Sequence, residues 1–183
     1  MAYIDLQNEL PGIRGLMAFN PKTAKPLNEL AETLLRDLDN SLSRGERELI
    51  GAYVSHLNDC LFCQNVHGAL AGHYLSCNLA NMDELLKGAE MSLLSKKMKT
   101  LLPVAAAVQI SGKKVEQDHI NNAREAGATD MEIHDTVLIA AAFSMFNRYV
   151  DGLNTWAPDD RQYYINRAPA RAEEGYIDFN LYK

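Results

Sequence analysis

Apolar residues recur at intervals of three to four positions along most of the chain, which is the period of an α-helix. In residues 26–39 five leucines fall on one helical face, and a similar stripe follows Ser43. Strand-like alternation rich in β-branched residues is nearly absent. The pattern therefore predicts an all-α protein.

Several local signals indicate where the helices begin and end. Ser43 with Glu46, and Thr129 with Glu132, fit the capping box that satisfies exposed amides at a helix start. Asn58-Asp59 is expected to end one helix and to supply the N-cap of the next. Pro103 is expected to kink or divide its helix. Together these signals predict helices over residues 26–39, 43–57, 60–74, 83–86, 92–110, 114–126, 129–150 and 160–166.

The length of 183 residues suits one domain. We divide the chain into an irregular N-terminal arm (1–25), an all-helical domain (26–156), and a short helix with a C-terminal tail that is irregular from residue 168 (157–183). Residues 101–108 and 137–146 are apolar nearly all round. Helices of that kind are either central or shared between subunits.

Composition narrows the classes of partner and compartment. With 24 acidic and 18 basic side chains the net charge is −6, which argues against a nucleic-acid partner. Without an apolar run of 18 residues, no membrane span is expected, and the N-terminus resembles no signal peptide. Three cysteines make a poor disulfide framework, so the expected compartment is the reducing cytoplasm.

The most informative motif is C-x-x-C-x-x-x-H, formed by Cys60, Cys63 and His67 at a predicted helix start. The three lie along one helical face, and two cysteines three apart can close a disulfide with little backbone movement. The helix N-terminus lowers thiol pKa values, and His67 can pair with or deprotonate Cys63. The pattern favours dithiol redox chemistry.

Two other interpretations of the motif remain open. The cysteines can be plain buried residues, or Cys60, Cys63 and His67 can hold zinc, with Cys77 as a fourth ligand. Zinc is less favoured because its cysteines usually come in knuckles with a distant second pair of ligands. Glu48, taken by pattern alone, is a solvated acid in the first turn of its helix.

The motif and its surroundings resemble a known family. Residues 47–50 (Arg-Glu-Leu-Ile), residues 58–63 (Asn-Asp-Cys-Leu-Phe-Cys) and His67 are similar to the core of the AhpD-like alkylhydroperoxidases of the carboxymuconolactone decarboxylase superfamily. Residues 10–14 and 146–153 are similar to its peroxidase-related members. The resemblance implies a helical bundle that assembles through intertwined helices into dimers, trimers or hexamers. It also implies hydroperoxide reduction with electrons from a dithiol, either a protein or a lipoyl-type group.

The resemblance also implies roles for individual residues. Cys63 would attack the peroxide, Cys60 would resolve the product as a Cys60–Cys63 disulfide, and His67 with Glu48 would relay protons. Helix geometry alone instead favours Cys60 as nucleophile, because it lies nearer the helix N-terminus and is expected to be the more exposed thiol. Our prediction follows the resemblance and assigns the attack to Cys63. Phe62 departs from the best-known members, which carry a histidine between the cysteines.

The sequence thus predicts a cytoplasmic, homo-oligomeric thiol peroxidase with peroxiredoxin-type activity. None of the 11 glycines forms a dinucleotide-binding or phosphate-binding loop, and neither a cofactor nor a metal is expected. The alternatives are a dithiol oxidoreductase with another oxidant, or a non-catalytic redox-sensing or binding oligomer. A zinc site comes third.

Overall fold

The computed structural model describes residues 2–88 and 94–177, and the regular structure within these ranges is helical throughout. The all-α prediction is confirmed. The helices are α1 (Ile13–Phe19), α2 (Pro21–Arg36), α3 (Arg44–Leu57), α4 (Leu61–Leu75), α5 (Leu79–Leu86), α6 (Lys96–Ile110), α7 (Gln117–Glu125), α8 (Asp130–Gly152) and α9 (Arg161–Glu174), with a short 3-10 turn at Gly112–Lys114.

Both predicted capping boxes are confirmed. The Ser43 hydroxyl accepts the Glu46 N–H at 3.2 Å, and the Glu46 carboxylate accepts the Ser43 N–H at 2.9 Å. At the start of α8, Thr129 and Glu132 make the same reciprocal pair at 3.2 and 2.8 Å. Because α3 and α8 begin at fixed residues, the register of each side chain along both helices is also fixed.

Helices continue through three internal prolines, so Pro103 does not divide its helix. Pro26 lies inside α2, Pro103 inside α6 and Pro169 inside α9. Burial of neighbouring apolar side chains against the core offsets the ~3 kcal/mol that an internal proline costs. The predicted irregularity is confirmed for residues 2–12, but it is wrong for most of residues 13–25 and for residues 168–174. Residues 13–25 contain α1 and the start of α2, and α9 continues to Glu174.

Smaller corrections concern single boundaries. Asn58 and Asp59 do not cap α4; Asn58 ends α3, and Cys60 is the N-cap residue of α4, without a side-chain cap hydrogen bond. Helix α2 begins and ends earlier than predicted, and α7 is shorter. The predicted start at Ser92, and the tail after residue 177, lie outside the described residues.

The centre of the fold is a hairpin of α3 and α4, joined by three residues. Helices α6 and α8 pack against α3, and α9 packs against α4. Gly51 allows the approach of α8, since a Cβ there would lie 2.3 Å from the Phe143 ring. Within the described residues no helix is long and apolar enough to cross a membrane. The hairpin brings residues from opposite sides of the Asn58–Cys60 turn onto facing surfaces.

Glu132 links α8 to its neighbours and gives the first test of the fold. Its buried carboxylate accepts hydrogen bonds from Lys97 Nζ at 2.5 Å and from Ser41 Oγ at 2.9 Å. It also accepts the Thr129 N–H of the capping box. Burial alone raises the pKa of Glu132, but the hydrogen bonds from Lys97, Thr129 and Ser41 outweigh it, so the pKa is lowered. The Lys97–Glu132 ion pair therefore stabilises the folded state fully above a pH of about 4.3, the usual glutamate pKa. This stabilisation is lost as the pH falls through the lowered pKa of Glu132.

We expect Glu132→Gln to lower the free energy of unfolding by about 1–3 kcal/mol at neutral pH, because Lys97 loses its buried ionic partner. The difference from wild type should shrink as the pH falls below about 4.3, because the carboxyl of Glu132 is then protonated in the unfolded chain and, through its lowered pKa, at still lower pH in the folded one. Urea unfolding at pH 7 and at pH 3.5 measures both values. Glu29→Gln, which removes an exposed carboxylate paired with Lys25, is the control and should change stability by less than ~0.5 kcal/mol. A loss that is equal at the two pH values would contradict this explanation.

Candidate active site

The two cysteines of the motif lie at the turn between α3 and α4. Both are free thiols, and Cys60 is 0% and Cys63 4% exposed. The Cys60 N–H donates to the Ser55 carbonyl at 3.0 Å, and the Cys60 carbonyl accepts the Gln64 N–H at 2.9 Å. The backbone on both sides of Cys60 is therefore held by the two helices that it joins.

A partly buried network of polar side chains holds the same turn in place. Asn147 of α8 donates to Ser55 Oγ at 3.0 Å and accepts from Asn58 Nδ2 at 2.9 Å. Gln109 of α6 donates to Asn58 Oδ1 at 2.8 Å. Because amide groups buried without partners are costly, this network orients α6 and α8 relative to the turn that carries the cysteines.

Glu48 and His67 face each other across the α3–α4 hairpin, although 19 residues separate them. His67 Nδ1 lies 2.6 Å from Glu48 Oε2, and Glu48 is 1% exposed. The interpretation of Glu48 as a solvated acid is therefore wrong. The ring of His67 packs edge-on against Phe143, with ring centroids 4.6 Å apart. With Nδ1 engaged by the carboxylate, Nε2 is the ring nitrogen that can exchange a proton.

Tyr176 is a site residue that sequence analysis missed. Its hydroxyl donates to Glu48 Oε1 at 2.7 Å, so both carboxylate oxygens have partners. The segment after α9 is held in place because the Tyr176 N–H donates to Glu32 at 2.7 Å and the Arg171 guanidinium lies 4.6 Å from the Tyr176 ring centroid. Burial and the charge of Glu48 raise the pKa of Tyr176 well above its usual value, so it remains a proton donor.

The Cys60 thiol has two acceptors within reach. It donates a hydrogen bond to Cys63 and can donate to the carboxylate of Asp151, near the end of α8; the hydrogen bond to Cys63, followed by burial, raises the pKa of Cys60. Burial raises the pKa of Asp151, while the hydrogen bond from Cys60 opposes the shift. A thiol that keeps its proton is a poor nucleophile. Asp151 lies in the segment 146–153, but no sequence signal gave it a role.

A cavity of about 90 Å³ lies among α1, α2, α4, α8 and α9, and Cys63 and His67 are in its wall. Cys60 and Glu48 are not among the described residues that line it. The expectation from helix geometry that Cys60 is the more exposed thiol is therefore wrong, because Cys63 faces the cavity and Cys60 lies behind it. A ligand in this cavity meets Cys63 first.

Phe62, the residue between the cysteines, also lines the cavity. Its ring packs edge-on against Tyr164, with centroids 6.1 Å apart. It also lies against the backbone of Gly12, where a Cβ would come within 2.3 Å of the ring and φ is +56°. The side chain thus helps α1 and α9 pack on α4, and it contributes no group that can carry a proton.

The zinc ligands of the third alternative are not brought together among the described residues. Among the described residues no group of three or more His, Cys, Asp or Glu side chains is arranged to hold a metal ion. Cys77, the suggested fourth ligand, lies past the far end of α4 near the Asn78 carbonyl. The motif residues instead form a dithiol at one end of α4 and a carboxylate–imidazole pair one turn further along it.

The described residues form an all-helical fold like that of AhpD-like structures. The model of the carboxymuconolactone decarboxylase family matches residues 21–73 and 79–157, and the chain belongs to that family. The match includes Glu48, both cysteines of the motif and His67, but ends before α9 and Tyr176.

Two solved structures share the fold. A peroxidase-related protein from Silicibacter sp. TM1040 matches with a TM-score of 0.74 at 24% identity, over 85% of this chain and 78% of that one. A peroxidase-related protein from Ralstonia eutropha JMP134, described as an alkylhydroperoxidase AhpD core, matches with a TM-score of 0.75 at 24% identity, over 85% and 80%. A search of curated proteins finds no significant match.

Proposed function

We propose that this protein reduces organic hydroperoxides with the Cys60/Cys63 dithiol. The observation that carries the proposal is the position of Cys63 at the cavity wall, one helical turn from His67, whose Nδ1 is held by the buried carboxylate of Glu48. A nucleophile, a base and a group that orients the base are the three parts of an activated thiol.

The first half of the cycle oxidises Cys63. His67 Nε2 takes the proton from the Cys63 thiol, and the thiolate attacks the terminal oxygen of the hydroperoxide. The S–O bond forms as the O–O bond breaks, and the leaving alkoxide takes the proton from His67 and departs as the alcohol. Cys63 is then a sulfenic acid, oxidised by two electrons. Glu48 balances the transient charge on the imidazolium.

The second half makes and reduces a disulfide. The Cys60 sulfur attacks the Cys63 sulfur, the S–O bond breaks, and hydroxide leaves with the Cys60 proton as water. Asp151, which can accept the Cys60 S–H, is the residue in reach of that proton. A dithiol reductant, a protein or a lipoyl-type group, then reduces the disulfide and regenerates both thiols.

The proposal includes a homo-oligomer, assembled as a dimer, trimer or hexamer through intertwined helices and working in the cytoplasm. Three large apolar side chains of α8 are exposed at seven-residue spacing, Met131, Leu138 and Met145. Seven residues are close to two helical turns, so the three form one stripe along α8. An exposed apolar stripe on a core helix supports packing against a second copy of the chain.

The direct test is consumption of tert-butyl hydroperoxide with dithiothreitol as reductant. We expect catalytic turnover by wild type and by the control Cys77→Ser, and none by the double variant Cys60→Ser/Cys63→Ser. Absence of turnover by fully reduced wild type would contradict the proposal. A dithiol oxidoreductase with another oxidant, or a redox-sensing oligomer, would then be the better interpretation, since Phe62 supplies no proton between the cysteines.

Tyr176 is expected to act as a positioning residue through Glu48. In Tyr176→Phe one oxygen of the buried Glu48 carboxylate loses its donor, so we expect the rate of Cys63 oxidation by hydroperoxide to fall roughly tenfold. The pH dependence of that rate should shift as well. Without the Tyr176 hydroxyl, the Glu48 carboxylate is less firmly held against His67 and stabilises the imidazolium less. Tyr3→Phe, at an exposed tyrosine, is the control. A variant with reduced stability but an unchanged rate and pH profile would assign Tyr176 a purely structural role.

A further inference from the structure

Three arginines line the cavity at Cys63: Arg14 of α1 and Arg167 and Arg171 of α9. Among the described residues no aspartate or glutamate lines it. The whole chain carries a net charge of −6, so a cavity lined by three positive side chains has the opposite sign of charge from the protein as a whole. The wall is otherwise mainly apolar and aromatic, which is the composition of a small-molecule site with a few orienting polar groups.

The arginines come from two elements that meet at this cavity. Positions 163, 164, 167, 168 and 171 all line it, which is one face of α9 at helical spacing. Arg14 donates to the Tyr163 hydroxyl at 3.1 Å, and Arg171 lies over the Tyr176 ring. On the face of α9, Arg167 lies between Tyr163 and Arg171, one helical turn from each. The guanidinium groups are thus distributed along one side of the cavity.

An anion in this cavity offsets the repulsion between the two arginines of α9. Arg167 and Arg171 are like charges four residues apart on one helix, which is unfavourable. All three arginines are half-buried beside apolar side chains, where charges interact more strongly than in water. A guanidinium group binds a carboxylate through two parallel hydrogen bonds, so a carboxylate is the ligand group that this side of the cavity fits.

The volume limits the rest of the ligand. The cavity measures about 90 Å³, whereas an apolar cavity of roughly 150 Å³ accommodates benzene. A branched alkyl group of about four carbons is therefore of a size that fits in the cavity. The reacting end of the ligand must reach Cys63, and the charged end must reach α9.

We propose that the preferred substrate is a compact alkyl hydroperoxide that carries a carboxylate. Its hydroperoxide group lies against Cys63, and its carboxylate pairs with the arginines, Arg167 foremost. This inference rests on the proposed peroxidase function and adds the substrate class. It predicts that the enzyme distinguishes a charged from an uncharged hydroperoxide of nearly equal size.

The kinetic test uses β-hydroperoxyisovaleric acid, which is tert-butyl hydroperoxide with one methyl group replaced by carboxymethyl, and its methyl ester. We expect wild type to show a kcat/KM roughly tenfold higher for the acid than for the ester, as for hydrogen bonds to a charged group. In Arg167→Gln the acid-to-ester ratio should fall close to one. Arg148→Gln removes an exposed arginine of α8 outside the cavity and should keep the wild-type ratio. Equal kcat/KM values for acid and ester in wild type would overturn the inference and leave the peroxidase function standing.

A binding test separates the two proposals. The unreactive alcohol β-hydroxyisovalerate and its methyl ester are titrated by calorimetry into Cys63→Ser, with and without Arg167→Gln. We expect the acid to bind about tenfold more tightly than the ester, and the difference to disappear with Arg167→Gln. Arginine-dependent binding, together with no peroxide turnover by wild type, would preserve the acidic-ligand site and refute the peroxidase function. No preference for the acid in binding would overturn the inference, whatever the turnover.

Discussion

Cys63→Ser is expected to abolish reduction of tert-butyl hydroperoxide, whereas Cys60→Ser should reduce about one equivalent per chain and then stop. A serine hydroxyl at position 63 is not nucleophilic at neutral pH, so the cavity loses its reacting atom. Cys60 cannot replace it, because it lies behind Cys63 and its raised pKa keeps it protonated. In Cys60→Ser the attack proceeds, but no second thiol closes the disulfide.

The measurement is a time course of peroxide loss at a known protein concentration, with and without dithiothreitol. Cys77→Ser controls for the loss of a thiol outside the site. The reverse pattern, with one equivalent consumed by Cys63→Ser and none by Cys60→Ser, would exchange the two roles. Wild-type rates in both single variants would exclude the dithiol as the reacting group.

Glu48→Gln is expected to slow the oxidation of Cys63 roughly 100-fold, which is within the usual range for loss of acid–base assistance. Glutamine keeps the size of the side chain and still offers an oxygen to His67 Nδ1 at the position that now lies 2.6 Å away. It carries no charge, however, so an imidazolium formed when Cys63 loses its proton is no longer balanced in a buried site.

Stopped-flow measurement of the first oxidation step at several pH values isolates this effect from disulfide formation. Glu46→Gln is the matched control, because Glu46 belongs to the same helical turn but serves only the cap of α3. That variant should lose some stability and keep the wild-type rate. If Glu48→Gln reacts as fast as wild type across the pH range, Glu48 has no part in proton transfer.

The part of the site that could be predicted is the part encoded at short range. Cys60, Cys63 and His67 lie within eight residues, so their relation follows from one helix start. Glu48 faces His67 because the helix signals place a turn at Asn58–Asp59, which folds α3 back on α4. Its burial did not follow from the pattern, since it depends on Tyr176 and on the segment after α9.

The features that escaped prediction depend on contacts between distant segments. Tyr176 reaches Glu48 from 128 residues away, and Asp151 meets Cys60 from the end of another helix. The cavity exists only where five helices converge. The length of α9 escaped prediction for a related reason. The helix penalty of Pro169 is local, whereas the burial of Ala168 and Ala172 on either side of it comes from tertiary packing.

The central claim is that the peroxide oxidises Cys63 and no other cysteine first. Its most direct test is to treat reduced Cys60→Ser with one equivalent of tert-butyl hydroperoxide, trap the sulfenic acid with dimedone, and locate the adduct by peptide mass spectrometry. We predict an adduct on Cys63, none on Cys77, and a Cys60–Cys63 disulfide in wild type treated in the same way. The absence of an adduct on Cys63, with Cys60 trapped instead in Cys63→Ser, would contradict the account.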